Sequence, residues 1–538
     1  MTDPTSKASP DAAPRGLTRR AYALGAGSLL LAACGGGSGN GFAFPIAPAP
    51  APEPKSGPEL AVEKLDALVN EMKTRAGVPG VAVSVVYRGK TLYAKGFGER
   101  KKGETALVDA DTVFQLASVS KSLSATVVAR QVGEGKLSWN SPVRQFVPEF
   151  ELSDPRSVGV TVGQLFSHRS GLGDHAGDQL EELGYKRNDI LARLRHVPVE
   201  PLGSTYEYTN FGLTAGAEAA ARAAGIDWDQ LSERTLYLPL GMSRTSSRFA
   251  DFAAQRNRAV GHMRIKGQFE AARVREPDEQ SPAGGASSTA NDMARWMTMV
   301  LDKGVVNGQR LIDATALQAA MTAQPDSSAH YGYGFNVGRD AGNRRTVSHS
   351  GAFFLGAATM HMMWPDEGLG ITVLTNAQPV GLAEAIGISF GELAFGAAQP
   401  SRDWLTFIFG ELAPLYALVG SLAGKSPPAS PQPPQALAAY TGHYANAYYG
   451  HAYVEQNGGR LQLVLGPQRQ VTLPLTHWDG NQFVFYPDTE NAPEGSVSWV
   501  RFNPAAASAP AFMDIEYYSQ DLAKGRFDWV DAASSTGG

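Results

Sequence analysis

Strand-patterned segments stand at both ends of a long stretch of this chain, with helical spacing between them. Residues 81–87 are apolar and β-branched, Arg88-Gly89-Lys90 is turn-like, and residues 91–97 resume the pattern, which predicts a hairpin. Residues 345–348, 357–364 and 370–374 read as three further short strands, the last two joined by Pro365-Asp366-Glu367-Gly368. Ahead of the hairpin, Val62, Leu65, Leu68, Val69 and Met72 fall at a helical spacing that ends near Gly77 and Pro79. Beyond it, residues 123–132 lack proline and glycine and read as helix up to Gly133. These patterns predict one sheet assembled from N- and C-terminal pieces, with a helical insert in the middle.

Three polar motifs lie on this framework. In Ser118-Val119-Ser120-Lys121, residues three apart on a helix share a face, so Lys121 can place its amine beside Ser118 Oγ. If Ser118 opens that helix, the helix dipole also favours negative charge there. A serine hydroxyl needs both a base and donors for the oxyanion that forms when it attacks. Tyr208-Thr209-Asn210 follows Gly203-Ser204 and is expected on a loop before a helix over 213–224. A phenol beside an ammonium loses its proton more readily, so Tyr208 is a candidate base. Asn210 is a candidate donor to a substrate carbonyl or a partner of Lys121. His349-Ser350-Gly351 is expected on an edge-like strand facing the nucleophile, with Gly351 letting backbone approach substrate. Singly, these residues also fit a capping serine, a buried tyrosine, a capping asparagine and a structural histidine, the role expected of His168. An S-x-x-K arises about once by chance in a chain of this length. The weight comes from three motifs in order, with 87 residues from Lys121 to Tyr208 and 141 from Tyr208 to His349.

That order and spacing resemble the serine β-lactamase and penicillin-binding-protein superfamily, whose S-x-x-K is a catalytic signature. More closely they resemble the branch of class C β-lactamases, D-Ala-D-Ala carboxypeptidases and esterases, serine peptidase family S12, which uses Y-x-N as its second motif. Phe166-Ser167-His168-Arg169-Ser170-Gly171-Leu172, Pro282-Ala283-Gly284-Gly285 and Ser288-Thr289-Ala290-Asn291-Asp292-Met293-Ala294 match as well. The resemblance implies an α/β, β-lactamase/transpeptidase-like fold: an antiparallel sheet flanked by helices plus a helical subdomain. It implies that Ser118 is the acylated nucleophile and that Lys121 and Tyr208 share proton transfer, either being the acylation base. Asn210, His349, Ser350 and Gly351 would orient substrate, and the backbone N–H groups of Ser118 and Ala352 would form the oxyanion hole. No metal or organic cofactor is implied. His349 departs from the lysine-threonine-glycine form of β-lactamases. A histidine is only partly charged near pH 7, so it holds a substrate carboxylate less firmly than lysine does. The expected function is therefore hydrolysis of an ester or amide, a peptidoglycan-type D-amino-acid peptide or a small ester, through an acyl-enzyme. The alternatives are a β-lactamase, or a penicillin-recognising sensor or binding protein with little or no turnover. No G-x-S-x-G elbow accompanies the site, which argues against an α/β-hydrolase.

The rest of the chain frames this unit. Arg19-Arg20, a short apolar run and Leu31-Ala32-Ala33-Cys34 read as an export signal over residues 1–34. The arginine pair resembles a twin-arginine signal. The ending resembles a bacterial lipobox, which would make Cys34 the lipidated residue and the anchor to the membrane on the extracytoplasmic side of the cell envelope. Cys34 is the only cysteine, which excludes an intrachain disulfide. Residues 35–58 read as a Gly/Pro/Ala tether, 59–400 as the hydrolase domain, and 401–434 as a helical connector with a proline-rich linker. The apolar run over 405–422 is interrupted by Glu411 and Pro414 and reads as a connecting helix or helical pair. Residues 435–534 carry regularly spaced short strands and turn signals, predicting a small all-β barrel or sandwich that resembles the lipocalin-like domain of some family members. A net charge of −5 offers no footprint for nucleic acid, so the expected partner is a small-molecule or peptide substrate.

Overall fold

The computed structural model describes residues 55–203, 205–325, 330–503, 511–519 and 524–530. The export signal, Cys34 and the tether up to residue 54 lie outside the described residues. Residues 57–58, expected in the tether, instead open the first helix, α1 (Gly57–Ala76). The Ser56 N–H donates to Glu59 Oε2 at 2.7 Å, and Pro58 sits in the first turn, where its missing N–H costs nothing.

The predicted hairpin is β1 (Gly80–Tyr87) and β2 (Lys90–Gly98). The later strands are β3 (Asn336–Arg339), β4 (Arg345–Phe353), β5 (Ala357–Trp364) and β6 (Leu369–Thr375). They form one antiparallel sheet in the order β2-β1-β6-β5-β4-β3, so the two ends of the domain meet at the β1–β6 pair, with Val81 opposite Thr375. β4 runs five residues past the expected 345–348, because its pairing with β5 continues from Val347 opposite Met363 to Phe353 opposite Ala357. On its other side β3 pairs only residues 345–348, which leaves β4 an edge from His349 onward.

Each face of the sheet is covered. Leu65 and Val69 of α1 pack with Ile386 and Phe390 of a late helix, Leu382–Ala394, against Val83, Val85 and Ile371. The other face carries the helical insert, centred on α2 (Ser120–Gly133), which is buried nearly all round as an interior helix must be. Two further insert helices position the site, α3 (Asp178–Glu182) and α4 (Asn210–Ala224). The connector forms a helix over Trp404–Glu411 and a tight turn over Ala413–Tyr416. Among the described residues no helix is long and apolar enough to cross a membrane.

The C-terminal region is a closed barrel rather than a sandwich. Its strands are β7 (Gly442–Asn446), β8 (Gly450–Asn457), β9 (Arg460–Leu465), β10 (Val471–Asp479), β11 (Gln482–Phe485), β12 (Ser498–Asn503), β13 (Phe512–Ile515) and β14 (Arg526–Trp529). Each pairs antiparallel with the next, and Tyr444 opposite Trp529 closes the ring, which removes both edges. Tyr440, Tyr444, Phe483 and Phe502 are buried together; Tyr440 lies 5.3 Å from Phe483 and 4.9 Å from Phe502, ring to ring. These aromatics are core.

The barrel docks on α3 and the residues flanking it. The Gly177 N–H donates to Tyr448 Oη at 2.8 Å, Gln179 Nε2 donates to the Tyr517 carbonyl at 2.6 Å, and the Tyr449 hydroxyl donates to Gln179 Oε1 at 2.6 Å. Leu180 and Leu183 join Tyr448 and Tyr449 in one continuous apolar core. Gly450 makes this approach possible: its φ is 81°, and a Cβ there would lie 2.0 Å from the Tyr185 hydroxyl oxygen. Gly450→Val is therefore expected to destabilise the protein by about 2–4 kcal/mol, read as a lowered calorimetric Tm. An unchanged Tm would contradict this docking.

Candidate active site

Ser118 sits in a tight turn, Ala117–Val119, immediately before α2. The condition that Ser118 opens the helix is met only nearly, since the helix proper starts two residues later, and in the turn Ala117 has a left-handed φ of 47°. That conformation costs a non-glycine residue about 1 kcal/mol, held here by burial of Ala117 against Phe353 and Ala357. Strand β4 lies directly over this turn. A Cβ on Gly351 would come within 2.2 Å of the Leu116 carbonyl oxygen and 2.9 Å of the Ser118 nitrogen. Gly351 thus admits the nucleophile's own backbone, where sequence reading expects it to admit substrate.

Lys121, Tyr208 and Asn210 converge on Ser118. Lys121 is fully buried, and its Nζ lies 3.0 Å from Ser118 Oγ, 2.7 Å from Asn210 Oδ1 and 3.0 Å from the Ala283 carbonyl oxygen. Burial pulls its pKa down to about 7, against a smaller upward pull from Asp178. The Tyr208 hydroxyl donates to Ser118 Oγ at 2.8 Å. The expectation of an easily ionised phenol is overturned. Burial pushes the Tyr208 pKa well up, with the Ser118 hydrogen bond opposing it more weakly. The Lys121 amine lies over the ring face, 4.6 Å from its centre, rather than against the oxygen. Asn210, expected on the loop, is the first residue of α4.

The His349 expectation is corrected too. Strand alternation buries His349, Gly351 and Phe353 and exposes Ser350 and Ala352, which line the cleft with Gly351. The His349 ring is held by Tyr331, whose hydroxyl lies 2.8 Å from Nε2, and by the Ser350 carbonyl oxygen, 2.6 Å from Nδ1. Burial lowers its pKa to about 3, with the Lys121 charge adding to this, so it is a neutral support and no cation for substrate. His168, expected to be structural, accepts the Thr209 N–H at Nδ1, 3.1 Å, and lies 4.5 Å from the Tyr208 ring.

Sequence reading misses Asp178 and His175. Asp178 Oδ2 accepts from Asn210 Nδ2 at 2.9 Å and lies 2.9 Å from His175 Nδ1. Burial works to lower the His175 pKa, but the hydrogen bond and charge of Asp178 outweigh it and raise the value to about 9. The signal was local: Asp174-His175-Ala176-Gly177-Asp178 begins two residues after the matched stretch that ends at Leu172.

These residues open onto a cleft of about 630 Å³. One wall comes from the catalytic body, and another from Asp488-Thr489-Glu490-Asn491 in the β11–β12 loop of the barrel. Leu412 and Leu415 of the connector add an apolar side. Among the described residues no group of three or more His, Cys, Asp or Glu side chains is placed to hold a metal ion.

A family model described as Beta-lactamase matches residues 65–387, and one described as Domain of unknown function (DUF3471) matches residues 426–515. Esterase EstB of Burkholderia gladioli is 27% identical over 374 residues, which cover 62% of this chain and 94% of the esterase. Penicillin-binding protein 4 of Amycolatopsis lactamdurans is 31% identical over 264 residues, 47% of this chain and 67% of that protein. The octameric penicillin-binding protein homologue from Pyrococcus abyssi superposes with a TM-score of 0.57 at 21% identity, covering 87% of this chain and 99% of that one. That last likeness is one of fold.

The raised His175 value means that its charged form stabilises the loop; this contribution is complete below the unfolded value of about 6.5 and is lost as pH rises through about 9. Asp178→Asn is expected to return the ring toward the ordinary histidine value in an NMR titration. A His175 pKa still near 9 in that variant would refute the pairing.

Proposed function

The chain belongs to the beta-lactamase family, and from that premise we propose that it is a serine hydrolase cleaving an ester or amide through an acyl-enzyme on Ser118. The observation that carries this reading is the placement of Ser118 Oγ within hydrogen-bond reach of both Lys121 Nζ and Tyr208 Oη. With its pKa drawn down to about 7, Lys121 is substantially neutral at pH 7 and takes the Ser118 proton as Oγ attacks the carbonyl carbon. Tyr208, held protonated by burial, is the proton donor in the pair. It passes a proton to the departing oxygen or nitrogen and recovers one from Lys121. The N–H groups of Ser118 and Ala352 receive the oxyanion. Water then attacks the acyl-enzyme, giving up its proton along the same route, and Ser118 is released. Asn210 keeps the Lys121 amine in place and is itself oriented by Asp178.

The charges of the cleft favour a small ester or amide over the carboxylate-bearing substrates of a β-lactamase or a D-Ala-D-Ala carboxypeptidase. Among the described residues lining it, the cations are His175, Arg273 and Arg275. Each is already paired, with Asp178, Asp488 and Glu181 respectively. Neutral His349 adds no charge for a carboxylate.

Intact-mass spectrometry of residues 55–538, which keep the whole of α1 and its cap, with a fluorophosphonate, a penicillin and p-nitrophenyl acetate tests the reading. A covalent adduct and ester release are both expected, and both should vanish in Ser118→Ala. An adduct without turnover would favour the sensor alternative, and the absence of both adduct and turnover in folded wild-type protein would sink the enzyme reading. Because the base must be neutral, kcat/KM should rise with pH through about 7, the Lys121 value. Tyr208→Phe should lower kcat by about 10²–10⁴-fold and leave that acidic limb in place. A limb that moves with Tyr208→Phe would reverse the roles.

A further inference from the structure

Two kinds of surface meet in the cleft at Ser118. An acidic wall comes from two domains, Glu181 and Glu182 on α3 and Asp488 and Glu490 on the β11–β12 loop. Those carboxylates are already engaged. Arg275 bridges Glu181 and Glu490, Arg273 pairs with Asp488 at 2.9 Å, and Glu182 accepts from Tyr517 Oη at 2.9 Å and from Asn491 Nδ2 at 2.6 Å. The other surface is apolar. Phe354 and Leu355 in the turn after β4, Pro379, and Leu412 and Leu415 of the connector line the same cavity as Ser118 and Ala352. Single exposed leucines are ordinary on a protein surface, whereas apolar side chains gathered beside a nucleophile are how a pocket takes hold of the apolar part of a ligand.

Local geometry turns the two leucines into the cleft. The connector helix ends at Glu411, and the tight turn Ala413–Tyr416 follows with Leu412 as its cap. In a turn of three residues per revolution, positions three apart eclipse, so Leu412 and Leu415 project to one side. The Leu415 N–H donates to the Leu412 carbonyl at 3.0 Å. Tyr416 faces the catalytic body instead: its hydroxyl donates to the Pro379 carbonyl, and its ring lies 5.5 Å from that of Phe354. Further on, the Val419 N–H donates to Ser496 Oγ at 3.0 Å, which ties the connector to the barrel. The apolar wall is thus fastened to both domains, yet Leu415 stays 48% exposed and Phe354 only half-buried. Phe354 stands two residues beyond Ala352, about 7 Å away at strand spacing, so the wall begins within the length of a short alkyl chain from the place where a carbonyl would react.

We propose that Phe354, Leu412 and Leu415 hold an alkyl chain, so that the ester or amide cleaved at Ser118 carries an aliphatic arm of several carbons. An uncharged chain asks nothing of the acidic wall, whose carboxylates keep their partners, and it covers leucine and phenylalanine surface that water otherwise wets. A cleft of about 630 Å³ is of the size that takes a drug-sized ligand, well beyond an acetyl ester. Because the wall is fastened before any ligand arrives, little ordering is lost on binding, and each methylene laid on it should raise affinity by about two- to fourfold. The proposal rests on the hydrolase reading for its chemistry, while its binding step can be measured without turnover.

Calorimetry on full-length Ser118→Ala compares butanamide with octanamide, which lengthens the acyl arm, and N-butylacetamide with N-octylacetamide, which lengthens the other. In at least one pair the longer compound is expected to bind about tenfold tighter or better. That gain should collapse toward unity when either Leu412→Asn or Leu415→Asn is added, with the melting temperature of each variant recorded to separate loss of binding from loss of folding. Leu415 is half-exposed, so a misfolded Leu412 variant still leaves Leu415→Asn to decide. A smaller gain in both pairs, no binding of any amide, or a gain that survives substitution in a folded variant would overturn the alkyl site, the last by marking adsorption elsewhere on the chain. A chain-length gain in a protein whose wild type forms no adduct and releases no ester would sink the hydrolase reading alone.

Discussion

Lys121 is fully buried, and an amine taken out of water must recover its hydrogen bonds from the protein or give up its charge. Here it does some of each. Ser118, Asn210 and the Ala283 carbonyl surround Nζ, yet among the described residues no carboxylate touches it; Asp178 is one residue removed, behind Asn210. A direct ion pair would hold the amine charged and useless as a base. Without any acidic neighbour it would lose the positive field that steadies negative charge on Ser118. The interposed amide gives the intermediate case, an amine that titrates near neutral pH.

The same constraint explains why the barrel belongs to the site. Asp178 lies on α3, a helix of five residues that could not hold its place by helix propensity. Tyr448, Tyr449 and Tyr517 of the barrel fasten its start, middle and end through Gly177, Gln179 and Glu182. The link from barrel to nucleophile is therefore short: α3 holds Asp178, Asp178 orients Asn210, and Asn210 holds the Lys121 amine. The barrel loop also walls the cleft, so a domain without any of the three motifs shapes what can reach Ser118.

How far the sequence was legible follows from the range of the interactions. Ser118 and Lys121 meet because the tight turn at Ala117–Val119 runs straight into α2 and keeps residues three apart on one side, a spacing visible in any window of four. The sheet was legible because strand patterns depend on nearest neighbours, although β4 outran its pattern once β5 supplied partners. His349 was misread because alternation says that two faces exist and is silent on which one meets the cleft. Tyr208 was misread because the reading counted a nearby ammonium and could not count burial, which dominates its pKa. Asp178 went unnoticed because its importance comes from Asn210, 32 residues away, and from the barrel beyond it.

By itself the sequence determined the family, the order of the three motifs, the N- and C-terminal make-up of the sheet and the all-β character of the last hundred or so residues. These follow from local periodicity and from residue types that few chemistries use. Only the tertiary structure decided that the C-terminal strands close into a barrel, that His349 is neutral and turned away, that Tyr208 keeps its proton, and that the cleft has an acidic wall built from two domains. Each of those depends on desolvation and on contacts between segments far apart in the chain, and the free energy of a buried charge is set by everything around it rather than by the residues beside it in sequence.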